Sequence, residues 1–388
     1  MVNRQGLDAI FSQAVTSKRM PGIVAVAAAD RGIVYQGAFG ERTIGKHDPM
    51  TLDTVVWIAS MTKAITATAA MQLVETGKLN LERPAAEVVQ GLAEVKVLEG
   101  FDAAGQPRLR APKRPVTLRH LLTHTAGFSY EFWAPAIAKY QEATGTPGIT
   151  TCANAALTTP LLFDPGDRWE YGISIDWVGK MVEAVSGQKL DRYFREHIFE
   201  PLGMKDTSFK ISPGQRARLA SMHQRGADGT LVPIEFGLPE EPEFLMGGGG
   251  LYGTAGDYLA FCQMILHGGQ FNGHRLLRAE TVAQMAQNHI GALEVGALKT
   301  AMPTVSLDVE LFPGMSKKWG LSFVINTQQL PTGRSSGSLA WAGLGNTYFW
   351  IDPTRRVSGV LLSQVLPFYD PAVIDLLVKF ETEVYRGL

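Results

Sequence analysis

Two cysteines in 388 residues are too few for a disulfide framework. Cys152 and Cys262 lie far apart, each among apolar or small residues, which suits two buried thiols in a reducing compartment. No sign of charge dominates: 36 Lys and Arg face 37 Asp and Glu, without a long run of either. Nucleic acid and an anionic membrane surface therefore find no electrostatic footprint. Long apolar runs are also missing. The longest, Gly22 to Ala29, falls far short of the ~20 residues a membrane helix needs. The N-terminus has no apolar signal core; Leu7, Ile10, Phe11, Ala14 and Val15 recur there at helical spacing instead. These absences point to a cytoplasmic protein acting on a small molecule, and they leave its oligomeric state open.

The residues that are present make an ordinary globular composition, 45% hydrophobic and 19% charged. The chain outruns the ~250–300 residues at which one core stops growing, so two lobes are expected. After the first helix, Gly22–Asp30 and Gly32–Gly40 read as strands of a hairpin joined at Asp30-Arg31-Gly32. Residues 61–76 form an apolar helix with Ile65, Ala69 and Leu73 on one stripe and Gly77 at its stop. Helical signals dominate to about residue 250, at Leu118–Thr123, Ile175–Val185 and Leu190–Ile198. Arg108–Pro115, with four basic residues and two prolines, reads as a solvated loop. Beyond Gly247–Gly250, Thr254 opens a helix through Tyr258–Leu266. Strands return at Gly320–Asn326, Ser338–Ile351 and Arg356–Leu362, before a last helix over Pro371–Tyr385. The simplest assembly is a sheet built from both chain ends around a helical insertion.

Four patterns compete for the chemistry. Gly333-Arg334-Ser335-Ser336-Gly337 matches the nucleophile elbow of α/β-hydrolases, but that triad needs a histidine after the serine and the last one here is His289. We read it as a loop. His120 and His124 have the i, i+4 spacing of a zinc-protease helix, yet Leu121 stands where the glutamate base belongs, so both are expected to be structural. Ser-x-x-Lys occurs twice, at Ser60–Lys63 and Ser186–Lys189, about as often as chance allows in a chain of this length. Ser186-Gly187 ends an apolar helix, which turns Lys189 to solvent. Ser60 opens one, placing its Oγ where the helix dipole favours negative charge, with Lys63 on the same face one turn later. Met61, Ala64 and Ile65 would desolvate that ammonium and lower its pKa until it could accept the serine proton. A capping serine with a snorkelling lysine would look the same in one dimension.

Ser60-Met61-Thr62-Lys63, followed by Leu118-Arg119-His120-Leu121-Leu122-Thr123-His124-Thr125-Ala126-Gly127, resembles the serine β-lactamase and penicillin-binding-protein superfamily. Asp164-Pro165-Gly166 with Tyr171, Pro201-Leu202-Gly203-Met204 and the Gly247–Leu251 loop extend the likeness over nearly the whole chain. Within that superfamily the chain is most similar to the family VIII carboxylesterases, relatives of the class C β-lactamases. The resemblance implies an α+β fold: an antiparallel sheet flanked by helices, with a mainly helical second lobe. Residues 1–76 and 255–388 would form the sheet domain, 77–254 the helical one, and the site would lie in the cleft between them. It further implies that Ser60 is the acyl-accepting nucleophile, that Lys63 and Tyr171 handle its proton, and that no metal or organic cofactor takes part. Asp176 is expected to serve capping and the helix dipole.

Two departures bear on substrate. Tyr171-Gly172-Ile173 lacks the amide of the lactamase Tyr-x-Asn, and Trp341-Ala342-Gly343 replaces Lys-Thr-Gly. The cation that would hold a β-lactam carboxylate is thus missing. By the resemblance, Gly343 leaves room for substrate against the strand, and the backbone N–H groups of Ser60 and Leu344 form the oxyanion hole. The loops Phe128–Ala134 and Met302–Lys317 are expected to shape the pocket, with Tyr130, Phe132 and Trp133 lining it. The expectation is a serine esterase of short acyl esters. A β-lactamase or D-amino-acid peptidase, an acyltransferase, and more remotely a non-catalytic penicillin-binding module are the alternatives.

Overall fold

Both ends of the chain contribute strands to one sheet. The computed structural model describes residues 2–388. Helix α1 (Arg4–Thr16) leads into β1 (Gly22–Ala29) and β2 (Gly32–Gly40). Helices α2 (Thr62–Glu75), α3 (Leu118–Leu122), α4 (Ser174–Ser186) and α5 (Ala255–Leu266) follow. The chain then returns through β3 (Lys317–Trp319), β4 (Val324–Asn326), β5 (Leu339–Gly343), β6 (Thr347–Asp352) and β7 (Val357–Leu362), and closes with α6 (Pro371–Arg386). The seven strands lie in the order β3-β4-β5-β6-β7-β1-β2, antiparallel throughout. This is the expected α+β arrangement.

Side-chain alternation along β6 assigns the two faces of the sheet. Phe349 meets Tyr258 of α5, with ring centroids 5.0 Å apart, while Trp350 meets Phe380 of α6 at 5.3 Å. Phe11 of α1 joins the second side, 5.9 Å from Phe380. Because helices cover both faces, Gly22–Ala28 of β1 is buried without a break, and the period-two pattern of a half-exposed strand is lost. Helix α2 is enclosed in the same way: Thr62 to Met71 are all buried, and α2 packs along α4. The stripe of Ile65, Ala69 and Leu73 is therefore only part of its buried surface. Among the described residues no helix is long and apolar enough to cross a membrane.

Several local expectations change. The run Ser338–Ile351 is two strands, β5 and β6, reversed at Leu344-Gly345-Asn346 with Asn346 at φ 58°. Continuous apolar sequence on both sides hid that turn. Gly320–Asn326 is a strand only from Val324; before it, Gly320 N–H donates to Phe323 O across a turn. Helix α3 stops at Leu122 and His124 has φ 55°, so His120 and His124 do not share a helical face. Arg108–Pro115 is more than a solvated loop. Pro107–Arg110 pairs with Val97–Phe101, and Arg110 grips the buried Asp164 carboxylate through two bonds of 2.8 and 2.9 Å. That clamp steadies the Asp164-Pro165-Gly166 corner ahead of Tyr171. Cys152 and Cys262 are buried free thiols, as expected.

Candidate active site

Ser60 lies in a single tight helical turn, Ala59–Met61, immediately before α2. Three contacts pin that turn. Ile58 N–H donates to Leu251 O (3.0 Å), Leu251 N–H donates to Thr62 Oγ1 (3.1 Å), and Tyr258 Oη donates to Met61 O (2.8 Å). Ala59 holds φ at 45°. That left-handed conformation costs a non-glycine residue about 1–3 kcal/mol, and it persists because the surrounding bonds overdetermine it.

Lys63, one turn further on, is fully buried. Its amino group donates to Ser60 Oγ (3.0 Å), Tyr130 Oη (3.0 Å) and Gly248 O (2.6 Å), and stands 4.8 Å from the centroid of the Tyr171 ring. Burial pushes its pKa far below the ordinary lysine range, and the Asp176 carboxylate pulls partly the other way. The three partners differ in kind, since a carbonyl only accepts whereas a hydroxyl also donates. A neutral amine has two N–H donors and one lone pair. With one N–H held by Gly248 O, the lone pair can turn only to a hydroxyl.

Tyr171 lies on the segment entering α4, where the sequence had put it. Its buried phenol accepts from Trp341 Nε1 at 2.8 Å. Burial raises its pKa, and bonding with Ser60 and Trp341 only partly offsets that rise; burial raises the Tyr130 phenol well above its ordinary value too. Of the groups around Ser60, Lys63 is thus the one able to offer a lone pair near neutral pH. Tyr130 and Tyr171 meet with ring centroids 5.6 Å apart. Gly172 permits that approach, since a Cβ there would sit 2.4 Å from Ser129 Cα.

The pocket at Ser60 has a volume of about 500 Å³ including its open mouth. Its lining includes Tyr130, Phe132, Trp133, Tyr171, Trp341, Gly343 and Leu344, and among the described residues no charged side chain lines it. Two expectations are refined here. The single donor of the Trp341 indole is engaged by Tyr171, which leaves a ring surface rather than an N–H for a ligand. The space beside Gly343 is filled by protein: a Cβ would lie 2.3 Å from both Ile58 O and Thr347 Oγ1. The glycine lets β5 close against the Ser60 turn, and Leu344 lines the same pocket as Ser60. Residues 302–317 do not line the pocket but back its aromatic wall, through Trp133 Nε1 donating to Ser306 Oγ (3.1 Å).

Of the rival motifs, only His124 comes near this constellation, as a packing neighbour of Tyr171. Ser335 is on a loop, its N–H donating to Asp352 (2.8 Å). Ser186 ends α4, Gly187 takes the left-handed conformation, and Lys189 is exposed. His120 Nδ1 accepts from Thr117 N–H in a capping box, and buried His124 packs 4.6 Å from the Tyr171 ring. Three partners of Lys63 went unread in the sequence. Tyr130 was expected as a wall and is also a hydrogen-bond partner of the amine; the Gly248 carbonyl was invisible; and Asp176 does more than face a helix dipole. It is fully buried, and its Oδ1 accepts from Gly248 N–H at 2.8 Å. An aspartate within the apolar run Ile175–Val178 was the one available signal.

The family model described as Beta-lactamase matches residues 7–382. Monacolin J acid methylbutanoyltransferase of Aspergillus terreus is 32% identical over 399 residues, which cover 98% of this chain and 95% of the relative. Lovastatin esterase of Penicillium rubens is 33% identical over 401 residues, 98% of each chain. A solved structure of a simvastatin synthase variant from Aspergillus terreus superposes with a TM-score of 0.86 at 32% identity, covering 99% of this chain and 96% of that one.

Proposed function

The chain belongs to the beta-lactamase family, is an enzyme acting on esters, and from that premise we propose that it is an acyltransferase working through an acyl group carried on Ser60. Lys63 takes the Oγ proton as Oγ attacks the acyl carbonyl of the donor. The N–H groups of Ser60 and Leu344 hold the oxyanion. The proton returns through Lys63 and Tyr171 to the departing alcohol or thiol, leaving an ester on Ser60. The hydroxyl of an organic acceptor then gives its proton to the same pair, attacks the ester, and restores Ser60. Residues 1–76 with 255–388 on one side and 77–254 on the other would form the two units between which this exchange occurs.

The observation that carries the reading is the lining of the pocket. A wall of aromatic and small apolar groups without a charged side chain is a poor host for ordered water and a good one for an organic acceptor. Full-length relatives named as methylbutanoyltransferases support transfer. A relative named as an esterase supports hydrolysis as the competing outcome on the same residues, so a carboxylesterase of the family VIII kind is the second reading. Partitioning of one acyl-enzyme tests it. With p-nitrophenyl butyrate as donor, a series of bulky secondary alcohols should yield butyrate ester in preference to butyric acid at millimolar alcohol. Butyric acid as the sole product across the series would leave the esterase reading. Benzylpenicillin should turn over ~10²–10³-fold more slowly than the ester, because its carboxylate would find no cation.

A further inference from the structure

Lys63 is tied to α4 by a two-bond strap. Asp176, in the first turn of that helix, accepts the Gly248 N–H at 2.8 Å, and the carbonyl of the same residue accepts from Lys63 Nζ at 2.6 Å. The neighbouring carbonyl, Gly247 O, accepts from Thr66 Oγ1 at 2.6 Å, so the strap is fastened to α2 at two successive residues. Nothing larger than glycine fits at 248, where a Cβ would fall 2.4 Å from Asp176 Oδ2. That second carboxylate oxygen is buried and has no hydrogen-bond partner among the described residues. A buried carboxylate with one oxygen unsatisfied is costly, and no step of the Ser60 reaction uses it directly.

We propose that Asp176 is a positioning residue for acyl transfer, acting on Lys63 through the Gly248 peptide. Its carboxylate fixes the orientation of that peptide, so the carbonyl always occupies one N–H of the lysine and the lone pair of the neutral amine is left to the hydroxyl side, toward Ser60 or Tyr130. Its negative charge also favours the ammonium that forms when Ser60 gives up its proton, in a surrounding where water cannot do so. The other titratable groups facing this pair are Tyr130 from the Phe128–Ala134 segment, Tyr171 from the approach to α4, and His124, which burial and the lysine charge keep neutral. The Cys152 thiol also feels Asp176, and with burial as the main cause it is pushed up to about 12. None of these supplies a second anion near neutral pH, so Asp176 is the lysine's counter-charge.

The inference rests on Lys63 being the base for Ser60, and that premise is tested separately: a p-nitrophenyl phosphonate should label wild-type Ser60 stoichiometrically and fail to label Lys63→Met. The inference itself is tested by the pH profile of kcat/KM with p-nitrophenyl butyrate. Asp176→Asn keeps an oxygen for the Gly248 N–H and removes only the charge. Its acidic limb should move to lower pH by about one unit, with the plateau lowered about tenfold. Asp176→Glu keeps the charge but displaces the strap; it should leave the acidic limb in place and lower kcat, and it serves should Asp176→Asn fail to fold. An acidic limb in folded Asp176→Asn that coincides with wild type, or one in Asp176→Glu that moves as far as expected for Asn, would overturn the assignment and leave Asp176 a structural residue.

Discussion

The molecule carries the same four-residue pattern in two places, and in only one of them is the lysine buried among hydroxyl groups. Ser60-x-x-Lys63 begins a helix and Ser186-x-x-Lys189 follows the end of one. At the first, the lysine is enclosed by α2, α4 and the Gly248 strap, and its proton affinity drops. At the second, the lysine stands in water beyond a left-handed glycine. Sequence spacing supplies reach only at the first, because the helix continues from Ser60 to Lys63 and breaks between Ser186 and Lys189. Burial lowers the lysine's proton affinity in one alone, because a desolvated ammonium releases its proton more readily than a solvated one.

The sharpest break in this comparison is removal of each serine. Ser60→Ala should lower kcat for a chromogenic ester by ~10⁴-fold or more while the thermal transition is retained. Ser186→Ala should stay within about twofold of wild type. A phosphonate adduct mapped by mass spectrometry to Ser186 or Ser335 would overturn the distinction. Next in size, Lys63→Met and Tyr171→Phe should each cost ~10³-fold, and the double variant little more than either, since the two share one proton. Defects that multiply in steady-state kinetics would mean separate roles.

A smaller effect sharpens the comparison through pH. The proposed route needs the neutral amine, and burial lowers the Lys63 pKa. The value of kcat/KM should therefore rise as pH increases through a limb set well below the ordinary lysine range, and Lys189→Met should leave that limb where it is. Trp341→Phe, which deletes the donor to Tyr171, should cost about tenfold in kcat with KM little changed. At the bottom of the scale, Lys189→Met should shift stability by less than about 0.5 kcal/mol in denaturant unfolding.

Much of the fold was legible because it is local. The β1–β2 hairpin, α2, α4 and α6 announce themselves through apolar periodicity, turn residues and helix stops that act within a few positions. Legibility failed where continuous burial erased the pattern, as at the β5–β6 turn, or where a basic segment was paired by a distant carboxylate, as Arg110 is by Asp164. Within the site, Ser60 and Lys63 were readable from spacing and hydropathy, and Tyr171, Trp341 and Leu344 only through resemblance to a family.

By itself the sequence determined that Ser60 opens a helix and Ser186 ends one, and with it which of the two Ser-x-x-Lys pairs shares a helical face. It also determined that no charged side chain of the Trp341-Ala342-Gly343 segment could meet a carboxylate. Tertiary structure alone decided what surrounds the lysine. Tyr130, Tyr171 and Gly248 come from distant stretches of chain and meet Lys63, with Asp176 behind Gly248, only when α2 packs on α4 and the glycine loop closes over both. Backbone carbonyls and buried counter-charges leave no trace in local composition, because their effect depends on distance and desolvation, which exist only once the chain has packed.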